Sequence, residues 1–214
     1  MKTRTFLLLL FLFASVITFA QNENKFFSSM QKNITLLDSA KSLADFQAAG
    51  NIFERIGNAE KNKWLPFYYS AYANIIVSSI EQNKELKDTY LDKADKYLAT
   101  ADSLTKNNSE IFTLKAFSAE MRISINPMQR WQKYGGIFSQ MIAEAIKADS
   151  TNPRPEFLQG QMLLYTPEQF GGGETNAKPV LQSSLKKYNE FKPESEIHPN
   201  WGKAMLEGIL KRMK

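Results

Sequence analysis

Cysteine is absent from the 214 residues. That excludes disulfide staples and a lipid-bearing cysteine at a cleavage site, so the fold must be held by ordinary core burial. Histidine occurs once, as His198 between Ile197 and Pro199. Without a histidine or cysteine partner it offers neither a zinc ligand set nor the basis of a histidine-dependent triad, and it reads as a loop residue. Glycine and proline are sparse, 10 and 8 in number, and lie mostly in the second half. Period-two apolar runs bounded by hairpin turns are missing, which argues against strands. Charge of one sign is lacking too: 27 basic residues face 22 acidic ones, interspersed, with no basic run and no RNA-binding aromatic signature. Nucleic acid is therefore not an expected partner.

A single long apolar run is present, from Phe6 to about Phe19, behind Lys2 and Arg4 and ahead of the polar "QNENK". At about 14 residues it is too short to span a bilayer and has the layout of a secretory signal peptide. Residues 1–20 are expected to be the signal, cleaved after Ala20, with residues 21–214 as the mature domain. Periplasmic or secreted localisation follows, with no membrane span left after cleavage. Losing Lys2 and Arg4 leaves 25 basic against 22 acidic side chains, a nearly balanced surface.

Along the mature chain, apolar residues recur at spacings of three and four, the mark of amphipathic helices. Leu86, Tyr90, Ala94, Tyr97, Ala101 and Leu104 form one stripe, with Asp92 and Lys96 off it as a solvated i,i+4 pair. Trp131, Tyr134, Phe138, Met141, Ala145 and Ala148 form another, interrupted by Gly135 and Gly136, so that its helix either starts after them or packs tightly there. Asn152 is a candidate cap with Pro153 at the first helical position.

Internal repetition joins these helices. Ala99 to Glu120 overlays Ala143 to Leu164 at a shift of 44 without a gap, matching Ala101 to Ala145, Asn108 to Asn152, Leu114 to Leu158 and Ala116 to Gly160. The coincidences fall on small residues, where two helices must approach closely. A shift of 45 sets Ala71 over Ala116 and Tyr69 over Leu114, giving about three to four helix pairs.

Ala94, Leu98 and Ala101, the turn "ADSTN" and the small residues Ala116 and Gly160 resemble the tetratricopeptide repeat (TPR) family, with a period of 44 in place of 34 and Ser150 where that family has its turn proline. The stretch from about 130 to 205, carrying "NPRPEFLQG", "YTPEQFGGGETNAKP" and "HPNWGK", is similar to exported TPR-like proteins of Gram-negative envelopes and, more loosely, to the periplasmic TPR-like component associated with TRAP transporters. The resemblance implies an all-α, TPR-like antiparallel helix-pair solenoid. It implies a non-catalytic scaffold for a protein or peptide partner in the envelope, with a small-ligand carrier or transporter accessory as the alternative.

The glycine run Gly171, Gly172 and Gly173 lacks the preceding strand and the following Lys-Ser/Thr of a phosphate loop. It reads as a packed corner before a helix capped by Thr175 or Asn176, with Pro179 in the first turn; a backbone-amide anion site is the second reading. The candidate binding surface is Tyr165, Phe170, Gly171, Gly172, Gly173 and Trp201. Trp64, Tyr68, Tyr69 and Tyr72 are read as core, or as the lining of a concave face. Glu156, Glu168 and Glu174 could act as a hydrolytic carboxylate pair only by converging, which makes a hydrolase the third reading. No catalytic residue, cofactor or metal ligand is assigned.

Overall fold

The computed structural model describes residues 22–213. The signal-peptide reading of residues 1–20 lies outside the described residues. Within them the chain is helical, with no strand. Helix α1 covers 22–38 and is followed by α2 (Leu43–Ala59), α3 (Trp64–Ile80), α4 (Lys84–Leu104), α5 (Ser109–Ile125), α6 (Pro127–Ala148), α7 (Arg154–Tyr165), α8 (Glu174–Glu190) and α9 (Lys203–Arg212); a single 3-10 turn, Glu168–Phe170, precedes α8.

Local chemistry sets most of the starts. Ser42 and Asp45 form a reciprocal capping box on α2. Asn83, Asn108 and Asn126 each accept a bond from the first turn of the next helix, satisfying N–H groups that have no intrahelical partner. Pro127 opens α6, and Pro66 sits in the first turn of α3.

Neighbouring helices pack as the pairs α3 with α4, α5 with α6, and α7 with α8, while α3, α5 and α7 also pack on one another as an inner row. This arrangement explains the burial pattern. Helices α3 and α5 are buried nearly all round, because α4 and α6 cover one side and other chain segments cover the rest. Helices α4, α6 and α8 keep one wet face. Gly160 shows why small residues match across the repeat: a Cβ there would press into the Leu181 side chain of α8 at 2.5 Å.

The inner row is not an open groove. After α8 the segment 191–202 turns back across it. Tyr69 donates from its hydroxyl to the Ile197 carbonyl at 3.0 Å, and Tyr188 donates to that of Trp201 at 3.1 Å. The Trp201 ring stacks on Tyr72 of α3 and Phe117 of α5 with centroids 5.0 and 6.0 Å apart. The helix-lined face on which the expected protein partner would sit is thus covered by the chain itself.

Several expectations are corrected in detail. Helix α6 runs straight through Gly135 and Gly136; the Trp131 ring lies over Gly135, and nothing in the structure explains Gly136. Pro179 lies in the second turn of α8, where it removes one backbone bond, and Gly173, not Thr175 or Asn176, is the N-cap. Asn176 reaches back instead, donating to the carbonyls of Gly171 and Gly172. On α4, Leu91 and Leu98 carry the burial, whereas Leu86 and Leu104 near its ends are exposed. Asp92 serves Arg122 of α5, which also reaches Asp88 and Asp95, and Arg130 of α6 grips Asp88 with both terminal nitrogens. That clamp ties α4, α5 and α6 together through charges that look solvated in the sequence.

Candidate functional site

The shift of 44 residues has a chemical consequence where the repeat turns meet. Glu110, in the first turn of α5, and Arg154, at the start of α7, are 44 apart, so the stacking of repeats brings their side chains together. Arg154 Nη1 donates to Glu110 Oε1 at 2.8 Å, Asn152 Nδ2 donates to the same oxygen at 2.9 Å, and the Tyr68 hydroxyl donates to Oε2 at 3.0 Å. Trp201 Nε1 donates in turn to the Tyr68 oxygen at 2.7 Å. Arg154 is fully buried, gives Nη2 to the Pro199 carbonyl at 2.6 Å, and leaves Nε without a partner. Its guanidinium lies against the rings of Phe191, Trp201 and Tyr188 at 4.8, 5.5 and 5.9 Å, a setting that suits the weakly hydrated arginine cation. Burial pushes the Glu110 carboxyl above its usual range, and Arg154, Tyr68 and Asn152 oppose that push. This hub fastens the C-terminal segment to α3, α5 and α7.

Over the hub lies a cavity of about 710 Å³, walled by the 106–110 and 148–152 turns and by the segment from Lys187 to Pro199. A drug-sized ligand needs about 300–1,000 Å³. Trp64 and Phe191 supply apolar wall, Lys106, Lys187 and Lys192 supply positive charge, and Glu110, Asp149, Glu190 and Glu194 supply negative charge. A second cavity of about 380 Å³ opens between the start of α1 and the 62–65 turn, with Phe26, Phe27 and Lys63 on its wall. Trp64 and His198 line both cavities and form the wall between them.

His198 is fixed in that wall. Its Nδ1 lies 2.8 Å from Ser195 Oγ, its Nε2 lies 3.1 Å from Glu194 Oε2, and its ring meets the Trp64 ring edge-on at 5.9 Å between centroids. Burial pulls the imidazole below its ordinary value and the Glu194 charge pulls it up, the burial effect being the larger. Burial therefore favours the neutral form of the ring. Among the described residues, no three His, Asp or Glu side chains gather so as to hold a bare metal ion.

The residues expected as a binding surface do not form one patch. Tyr165 and Phe170 are 71% and 73% exposed at the corner between α7 and α8. Trp201 packs beside Arg154 at the other end of α7, a helix about 16 Å long between Arg154 and Tyr165. The glycines shape the corner: Gly171 and Gly173 have φ of 83° and 88°, and a Cβ on Gly172 would overlap the Thr166 carbonyl. Glu156 pairs with Lys187 of α8 at the start of α7, whereas Glu168 lies beyond its far end, about 13 Å along the axis, so the three acids do not converge. Tyr68 and Tyr69 are core, and Trp64 is partly exposed to the cavities.

Sequence reasoning missed Glu110, Arg154 and the cavity role of His198. The available signal was the match of Asn108 to Asn152, two turn asparagines whose side chains each accept a bond from the helix that follows.

No family model and no curated protein matches the chain. A solved structure, the HusA haemophore from Porphyromonas gingivalis, is 34% identical with a TM-score of 0.80, over 88% of this chain and 92% of that one. The chain belongs to the family of that haemophore. Among the described residues, no helix is long and apolar enough to cross a membrane.

Proposed function

We propose that the protein is an exported carrier of a small, flat, largely apolar ligand of the porphyrin class, with residues 1–20 as its signal peptide. The observation that carries this reading is the 34% identity to a haemophore over nearly the whole chain. It favours the small-ligand alternative over a protein scaffold. The cavity of about 710 Å³ beneath Trp64 and His198 has the size for such a ligand, and Phe191 and Trp64 give its rings something to stack on. On a wall that also carries Asp149, Glu190 and Glu194, Lys106 and Lys192 are in no ion pair among the described residues and are the groups that can meet carboxylates on the ligand rim. The successive helix pairs support the TPR-like reading of the scaffold.

Titration of the purified mature chain with haemin and with metal-free protoporphyrin IX tests this. Saturable one-site absorbance changes, quenching of indole fluorescence that weakens in Trp64→Phe, and a rise in melting temperature are expected. A linear, unsaturable response to both porphyrins would sink the reading.

A second reading, an envelope protein partner, is favoured by one observation: the exposed rings of Tyr165 and Phe170 at the glycine corner. Affinity capture from envelope extracts with the native chain and with Tyr165→Ser/Phe170→Ser separates it from the first. A partner lost in the variant, with porphyrin binding intact, would establish an interaction surface; the same proteins retained by both would remove this one.

A further inference from the structure

Resting on the second reading above, that the rings at the glycine corner form an interaction surface, we propose that their partner is a second copy of this chain, bound about a two-fold axis through the end of the molecule that the corner shares with the α5–α6 turn. Helices α5 and α7 start side by side, where Asn152 Nδ2 donates to Ser109 Oγ at 3.0 Å and Arg154 binds Glu110, and they pack on one another, so they run parallel. Their C-terminal ends therefore share one end of the stack, and the start of α6, two residues beyond Ile125, lies there with them. That end is apolar and open to solvent. Met128 and Trp131 of α6 are 97% and 49% exposed, and Tyr165 and Phe170 of the corner join them. These four side chains present on the order of 600 Å², the upper limit for a patch on an ordinary monomer, and with a polar rim they approach the roughly 800 Å² that each partner gives to a stable complex.

The distribution of charge points to the same chain as the partner. Residues 126–134 hold Arg130 and Lys133 and no acid, whereas residues 165–174 hold Glu168 and Glu174 and no base. Arg130 is spent on Asp88, which leaves the exposed Lys133 as the available cation of its half, and the exposed Glu168 leads the other half. A two-fold axis between the halves sets Met128, Trp131 and Lys133 of one copy against Tyr165, Phe170 and Glu168 of the other, twice over. An anionic lipid surface would be repelled by Glu168 and Glu174, whereas a second copy answers them with Lys133.

Sedimentation equilibrium of the native mature chain tests this. The weight-average mass should rise from that of one chain to that of two between about 1 and 300 µM, and stop there. Tyr165→Ser/Phe170→Ser should weaken the association by about tenfold or more. Lys133→Glu and Glu168→Lys should each weaken it by about three- to tenfold, and the double reversal, which restores both cross-pairs with exchanged signs, should return it to within about twofold of native. A native chain that stays monomeric over that range would overturn the proposal whatever the variants do; an envelope protein captured by that chain and lost in Tyr165→Ser/Phe170→Ser would then leave the second reading standing with a different partner. A dimer formed as tightly by Tyr165→Ser/Phe170→Ser as by the native chain would overturn it as well, since the contact would lie elsewhere. Failure of the double reversal to recover what the single reversals lose would overturn the two-fold pairing.

Discussion

Glu120 is a residue the fold holds at a cost. It lies buried in α5, Oε2 has no hydrogen-bond partner, and burial alone pushes its carboxyl to about 8. The sign of the consequence follows from comparing the two states. Below about pH 4.5 both folded and unfolded chains hold the proton, and the site has no effect on stability. Between about 4.5 and 8 the unfolded chain releases the proton while the folded one keeps it, so stability falls as pH rises; above about 8 both have released it and the loss levels off. The full difference is on the order of 5 kcal/mol. Glu120→Gln keeps the shape of the neutral acid without the option to ionise. Urea denaturation at pH 8 should find it more stable than the native chain by roughly 2–4 kcal/mol, with the gap closing at pH 4.5. A gap independent of pH would mean that the native carboxyl titrates normally. His198 stands as the opposite case, a half-buried base whose partial burial favours its neutral form.

Single elements are decided by where backbone crowding occurs, and the glycines separate into two kinds. At the corner between α7 and α8, Gly172 abuts Thr166 so closely that a Cβ would overlap its carbonyl, and the Gly173 N–H donates to Leu163 at 2.9 Å to finish α7. Inside α6, Gly136 has open space where a Cβ would go. Gly172→Val should therefore cost about 3 kcal/mol, and Gly136→Ala should gain about 0.5–1 kcal/mol from helix propensity, both read from chemical denaturation midpoints. Equal effects would show that crowding does not govern the corner. The glycine run is legible in sequence as a corner because Gly-Gly-Gly before a polar helix start has few other uses. The helices are legible because apolar residues recur at spacings of three and four, and the 44-residue repeat is legible because Gly160 must admit Leu181. The clamp of Arg122 on Asp88, Asp92 and Asp95 is not, since those acids lie off the apolar stripe and their partner sits 27 to 34 residues away. The cavity is hidden for the same reason. Its wall joins α3, two repeat turns and the segment before α9, which no local period connects.

At the scale of the whole molecule, the C-terminal segment turns a row of stacked helix pairs into a closed body, and Arg154 is the fastening. It reaches Glu110 on α5, the Pro199 carbonyl on the returning segment, and the faces of Phe191, Trp201 and Tyr188 from a fully buried position. A buried pair of this kind gains much of its apparent strength from the cost of leaving either partner alone. Arg154→Met leaves the Glu110 carboxylate with only Tyr68 and Asn152, and should lose about 3–5 kcal/mol. Glu110→Gln leaves the guanidinium charge uncompensated among aromatic rings and should lose a similar amount. The double variant removes both charges together, so its loss should fall short of the sum of the singles by about 1–3 kcal/mol. The cycle is measured by urea denaturation at constant slope, with indole fluorescence reporting whether Trp201 stays seated on Tyr72 and Phe117. Additive losses would mean that the segment is held by packing alone and that Arg154 does no more than fill space between the repeat turns.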